Sequence, residues 1–184
     1  NQIKTPNGAK WLSVPIKNKS DMVMFNGTLI NYETTWQRDH CNLIKNNYQK
    51  TPYFNDYYQD IENIIMTEYK SLTELSTDLI RYFMTQLDIR TTIAYSSELS
   101  ESWENGADKI FSILDNTNAT GYLTGSGPGS KKYIKEEDFN RLGINLQWQN
   151  YECKEYNQLF GDFIPYLSVV DLLFNHGKKS GEVI

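Results

Sequence analysis

Between residues 91 and 148 the spacing of apolar side chains switches back and forth between two periods, and few folds accept a chain that does this. Strand-like runs at 91–95, 121–124 and 144–148 alternate with helical patterns at 107–114 and 136–142. Short strands separated by helices need crossover connections, and crossovers lay the strands parallel in one sheet with helices on its faces. The expected fold class is therefore α/β, a mostly parallel, Rossmann-like three-layer arrangement of sheet and flanking helices. Ligands of such sheets bind at the carboxyl ends of the strands. Three loops should share that rim: Ser96-Ser97-Glu98, Gly125-Ser126-Gly127-Pro128-Gly129 and Asn150-Tyr151-Glu152.

The N-terminal half has a different rhythm. Pro6-Asn7-Gly8 is turn chemistry ahead of a strand at 11–16, and a short strand at 22–25 runs into Asn26-Gly27. From about Thr35, the residues Trp36, His40, Leu43, Ile44 and Tyr48 fall three and four apart, on one face of a helix. Thr51-Pro52 reads as the start of a second helix with Tyr57, Ile61, Ile64 and Ile65 inward. Ser71-Leu72-Thr73-Glu74 is a capping box, followed at helical spacing by Leu75, Leu79, Phe83 and Leu87. This helical segment reads as an insertion between the N-terminal strands and the alternating half. A last helix is expected from Ser168 to a stop at Gly177. With 184 residues, no repeat and no linker, a single domain over 1–184 is expected. Its opening residues read as the continuation of a longer fold, lacking its natural N-terminal strand.

Charge and composition remove several classes of function. Eighteen Lys and Arg stand against 23 Asp and Glu, a net charge of −5 with no long like-charged run, so the basic footprint of a nucleic-acid binder is absent. A chain that is 39% hydrophobic and 14% aromatic has the means to build a core. The most apolar stretch, 163–174, contains Pro165 and Asp171 and falls short of the roughly 20 residues of a membrane span. Cys41 and Cys153 are too few for a stapled secreted domain, which favours free thiols in the cytoplasm. They and the two histidines do not stand at zinc-ligand spacing, so no metal is expected.

Several residues bear chemistry, each with a plainer alternative. Residues 125–129 match neither a dinucleotide fingerprint nor a P-loop. At a strand end, however, the amides of Gly125, Gly127 and Gly129 with Lys131 and Tyr133 suit a phosphate or carboxylate; otherwise they are a glycine turn with solvated lysines. Ser96, Ser97 and Glu98 offer two hydroxyls and a general base, or simply cap a turn. His40 beside Trp36 is a base near neutral pH or a hydrogen-bonded core histidine, whereas a helix-end position accounts for His176. Asp171, on an apolar helix face with Asn175 four residues on, must find a partner or line a polar cleft.

In chain order, Ile3-Lys4-Thr5-Pro6-Asn7-Gly8 with Trp11-Leu12, the stretch from Trp36 to His40, and Tyr48 with Pro52-Tyr53-Phe54 come first. Ser96-Ser97-Glu98-Leu99, Tyr122-Leu123 with the glycine loop and Tyr133, Phe163-Ile164-Pro165, Leu167-Ser168, Asp171-Leu172-Leu173-Phe174-Asn175 and Gly177 follow. Together they resemble the WbqC-like family of bacterial proteins, commonly encoded among O-antigen and capsule biosynthesis functions. Members typically begin with a His-Gln-Pro segment and a Pro-Trp pair, and this chain enters after them. Its glycine loop, with Ser126 and Pro128, also departs from the simpler Gly-Pro-Gly form.

The resemblance implies a transferase of surface-polysaccharide assembly, moving an acyl or aminoacyl group onto the amine of a nucleotide-linked amino sugar. His40 or Glu98 would take the amine proton, with Asp171 in the catalytic set. Trp36, Ser96, Ser97, Asn175 and the glycine loop would hold substrate, and the loop's amides with Lys131 the diphosphate. The donor would be a thioester of coenzyme A or of an acyl-carrier protein, although no diagnostic site for either stands out and an acidic chain has no electrostatic preference for an acidic carrier. Two other readings stay open. One is a non-catalytic nucleotide-sugar or glycan-binding protein; the other is an enzyme that activates an acid with ATP bound at the glycine loop.

Overall fold

In the computed structural model, which describes residues 1–17, 25–99 and 106–184, the helical patterns of the N-terminal half form the larger part of the core. Two units are separable, Asn1–Arg90 with Cys153–Ile184, and Thr91–Glu152.

The first unit is built helix on helix. Helix α1 (Trp36–Tyr48) buries Trp36, Cys41, Ile44 and Tyr48, and α2 (Phe54–Met66) buries Phe54, Tyr57, Tyr58, Ile61 and Ile65. Thr51-Pro52 does not start α2 as expected. Thr51 instead closes α1, its backbone N–H and its hydroxyl both donating to the Tyr48 carbonyl at 2.9 and 2.7 Å. Helix α3 (Leu72–Gln86) begins at the expected capping box, Ser71 accepting from the Glu74 N–H and Glu74 accepting from the Ser71 N–H. The strand expected at 11–16 lies earlier and is a hairpin. β1 (Gln2–Thr5) pairs antiparallel with β2 (Gly8–Trp11) across Pro6-Asn7, and of the later residues Ile16 makes a single bridge to Ile30. The turn chemistry was a correct signal, but strands flank it on both sides. The strand expected at 22–25 lies outside the described residues except for Phe25, which begins a 3-10 turn, Phe25–Gly27.

The chain's end returns to this unit. Ser168 accepts from the Val170 N–H to cap α8 (Val169–His176), and Gly177 ends it ahead of a 3-10 turn, Gly177–Glu182. Gly177 has φ +63°, and a Cβ there would lie 2.6 Å from the Tyr53 ring.

One network ties these elements. Asp171 is completely buried, and its carboxylate accepts from the Tyr48 hydroxyl at 2.6 Å and the Tyr156 hydroxyl at 2.8 Å. The Tyr48 oxygen in turn accepts from the Lys4 backbone N–H at 2.7 Å. The Lys4 side chain, 1% exposed, donates to the carbonyls of Gly161 and Asp162. The side-chain amide of Gln158 exchanges two hydrogen bonds with the Ile164 backbone, at 3.0 and 2.9 Å.

The second unit overturns the expected α/β class. Its core comprises Leu114, Ile134 and Phe139 with Phe111, Tyr122, Leu146 and Trp148. The helices α5 (Gly106–Asn116), α6 (Pro128–Tyr133) and α7 (Glu136–Leu142) accompany two parallel strands, β3 (Gly121–Gly125) and β4 (Asn145–Gln149). No strand among the described residues joins them: 91–95 pairs with nothing in a sheet, and its residues 91–94 are exposed. Thr, Ile and Tyr in that run satisfy a local strand preference, yet a strand exists only where a neighbour accepts its hydrogen bonds. The described residues therefore form two separate two-stranded sheets, one antiparallel and one parallel, in a mainly helical chain. A Rossmann-like three-layer sheet is not what this sequence forms. Only one face of the β3–β4 ribbon is covered, leaving Leu123 60% exposed.

Two substitutions report on the first unit. Tyr48→Phe strands the Lys4 N–H and one oxygen of Asp171 in the interior and should cost about 2–4 kcal/mol in a denaturant titration. Gly177→Ala combines a left-handed backbone with a clash against Tyr53 and should cost about 2–4 kcal/mol, read in the same titration.

Candidate functional site

The apolar stripe of α3 does not close onto its neighbours. Leu75 is 2% exposed, but Leu72, Leu79 and Phe83 stay half-buried because they line a cavity of about 490 Å³ within the first unit. Trp36, His40 and Ile44 of α1, Ile61 and Ile65 of α2, Ser76 of α3 and the segment Leu12-Ser13-Val14 complete most of its wall, with Ser168 and Val170 from the C-terminal end. No Asp, Glu, Lys or Arg side chain is in that lining.

Two expected site residues meet here. Trp36 and His40 stand one helical turn apart, so they share a face of α1, and their rings pack edge to face with centroids 5.3 Å apart. Trp36 is 5% exposed and its indole nitrogen has no hydrogen-bond partner. Tyr32 makes a second ring contact with Trp36, with centroids 6.0 Å apart. Burial lowers the His40 pKa below its ordinary 6.5, while hydrogen bonding to the Ser13 backbone and the charge of Asp39 pull the other way.

Asp171 is placed otherwise. It is absent from the cavity lining, and both carboxylate oxygens are occupied by tyrosine hydroxyls. Desolvation raises its pKa despite the bonds from Tyr48 and Tyr156 and the charge of Lys4, and the same burial and carboxylate push both tyrosines well above their usual range. Of the two fates open to a carboxylate on an apolar helix face, it has found partners. Asn175 donates to the Asp171 carbonyl at 2.8 Å, a bond within α8.

The remaining expected residues lie in the second unit. Gly125 stands opposite Gln149 in the parallel register, so the loops at 125–129 and 150–152 leave the same end of the ribbon. Ser96, Ser97 and Glu98 do not follow a paired strand; they form the short helix α4 (Ser96–Leu99), and the expected shared rim of three loops reduces to two. Gly127 precedes α6, with Pro128 in its first turn, and neither Gly127 nor Gly129 would meet another atom within 4 Å if given a Cβ. Lys131 and Tyr133 are exposed on α6, and the Tyr133 ring lies 3.2 Å from a Cβ placed at Gly106. The cysteines Cys41 and Cys153 are free, and burial raises the Cys41 thiol to about 11. Among the described residues no three His, Cys, Asp or Glu come together as a metal site, and no helix is long and apolar enough to cross a membrane.

Lys4, Tyr156 and Gln158 escaped sequence reading as partners of Asp171. The bond from Tyr48 alone spans 123 positions, beyond the reach of any local pattern.

Comparison with known proteins agrees with the motif resemblance. An uncharacterized protein of Mycobacterium tuberculosis, Rv1507c, is 29% identical over 187 residues, covering 100% of this chain and 79% of that protein. No solved structure matches the chain. Residues 1–183 match the WbqC-like protein family. The chain belongs to the WbqC-like protein family.

Proposed function

We propose that the protein transfers an acyl or aminoacyl group onto the amine of a nucleotide-linked amino sugar, a cytoplasmic step in bacterial surface-polysaccharide assembly. The observation that carries this reading is His40, an imidazole kept neutral by burial on the wall of a ligand-sized cavity. Acylation of an amine needs such a group. The amine nitrogen attacks the thioester carbonyl, the N–C bond forms and the C–S bond breaks, and the nitrogen's proton passes to His40 and then to the departing thiolate. The donor is a thioester of coenzyme A or of an acyl-carrier protein. Asp171, saturated by two tyrosines, is assigned to folding.

Mass spectrometry of UDP- and dTDP-linked amino sugars incubated with the protein and coenzyme A thioesters should find the N-acylated product. His40→Gln should lower kcat about 100-fold or more, with the thermal midpoint preserved. Sugar-nucleotide binding without product from any thioester would overturn catalysis in favour of a glycan-binding protein. ATP cleavage dependent on a carboxylic acid would replace the transferase with an acid-activating enzyme.

The pH dependence has a definite sign. Because the folded-state pKa of His40 lies below 6.5, keeping its ring neutral contributes stability above that pH, and the contribution is lost as pH falls through the lowered value. NMR titration of the His40 ring should give a midpoint below 6.5, and His40→Gln should flatten this part of the acid limb of stability.

A further inference from the structure

We propose that Trp36 is a positioning residue for His40: its indole ring, packed against the imidazole, fixes the plane of that ring on the cavity wall and keeps water from it. This rests on the transferase reading only for the role of His40 as base. The pairing of the two rings belongs to the folded protein whatever it catalyses.

Helix geometry brings the rings together. Side chains of a helix lean toward its N-terminus, so the imidazole at position 40 reaches back over the turn that carries Trp36. The ring planes stand 69° apart with centroids at 5.3 Å. An imidazole turns broadly about its Cβ–Cγ bond, so a base on the wall of a cavity needs a neighbour that selects one plane. Trp36 can supply that constraint because it is itself fixed: it begins α1, is 5% exposed, and touches the Tyr32 ring on another side. So small an opening leaves it little to offer an occupant, and its work is on its neighbour. Its indole N–H is buried without a partner, a cost to folding that a phenylalanine at this position would not carry. The aromatic face and not the N–H is what the position uses. A smaller aromatic ring should therefore stand in for it, and an aliphatic side chain should not.

Few charges compete for control of the imidazole. Asp39, next to it on α1, accepts a hydrogen bond from the Thr35 hydroxyl at 2.8 Å. The α-amino group of Asn1 lies on the same cavity lining, where burial lowers its pKa. The residues that 12–14, α2 and α3 present to the lining carry no charged side chain. Shielding by the neighbouring ring is thus left as the main control on His40, in keeping with burial as the largest cause of its lowered pKa.

Trp36→Phe and Trp36→Leu separate ring packing from plain filling of space. NMR titration of the His40 ring gives its midpoint, nuclear Overhauser contacts report the ring pair, and circular dichroism checks the fold. The parent should show indole-to-imidazole contacts and a midpoint below 6.5. Trp36→Phe should keep a ring contact and the lowered midpoint. Trp36→Leu should let the imidazole turn and admit water, raising the midpoint toward 6.5. In the transfer assay Trp36→Leu should lower kcat about tenfold or more with KM unchanged, and should move the acid limb of kcat to higher pH. A midpoint unmoved by Trp36→Leu, or moved equally by both variants, would overturn the proposal. A raised KM with kcat intact would make Trp36 a substrate contact and overturn it as well. Should Trp36→Leu not fold, the parent and Trp36→Phe decide: ring contacts in both at a lowered midpoint support the proposal, and their absence from either overturns it. If no sugar nucleotide is acylated, the transferase reading fails while the titration still decides this inference. Product formation with an unmoved midpoint does the reverse.

Discussion

The first unit depends on a buried carboxylate that never meets water. Desolvating Asp171 is costly, and the cost is offset only because each oxygen receives a hydroxyl proton, from Tyr48 and from Tyr156. Each donor brings an element with it. Tyr48 anchors the end of α1 and, through the Lys4 N–H, the strand β1; Tyr156 anchors the segment that re-enters from Cys153; Asp171 itself sits in α8. Lys4 then fixes the carbonyls of Gly161 and Asp162. Desolvation outweighs these bonds and the neighbouring Lys4, since the Asp171 pKa remains raised. The closure joins both ends of the described chain to its middle, so the unit cannot be complete until the last helix is in place.

Legibility followed the range of the forces involved. The capping box at Ser71, the cap at Ser168 and the stop at Gly177 are local arrangements of backbone donors and acceptors, and four or five residues suffice to read each. The amphipathic faces of α1 and α2 are local too. The alternating half misled because the strand preference of 91–95 is a property of its side chains, while a sheet is a property of its neighbours. Two of the three expected strands found each other in parallel register; the third found none among the described residues, and with it went the three-layer architecture. Thr51-Pro52 failed in a smaller way. The pair carries the right residues for a helix start, but the hydroxyl was captured by the preceding carbonyl, ending one helix instead of opening the next.

For the candidate site, spacing alone placed Trp36 beside His40, because positions four apart on a helix must share a face. The same spacing read Leu72, Leu75, Leu79 and Phe83 as core. Periodicity says which residues turn inward but not whether what they meet is protein or space, so the cavity was invisible until the helices were arranged. Ser13 entered the site by lying next to His40 in space, 27 positions away in sequence.

His40 and Asp171 show how burial acts on a proposed base and on a hydrogen-bonded acid. Loss of water lowers one pKa and raises the other, so each is pushed toward neutrality and neither shift identifies a function by itself. What differs is unused bonding capacity. Both oxygens of Asp171 hold protein donors, and any proton transfer there would have to break the bonds that close the unit. His40, by contrast, lies on the lining of a cavity beside Trp36, whose buried indole N–H has no partner. Folding leaves a buried donor unsatisfied at a cost, and here that donor, the Trp36 indole N–H, belongs to the residue packed against His40. The proposed base is thus the group whose surroundings leave room for a ligand.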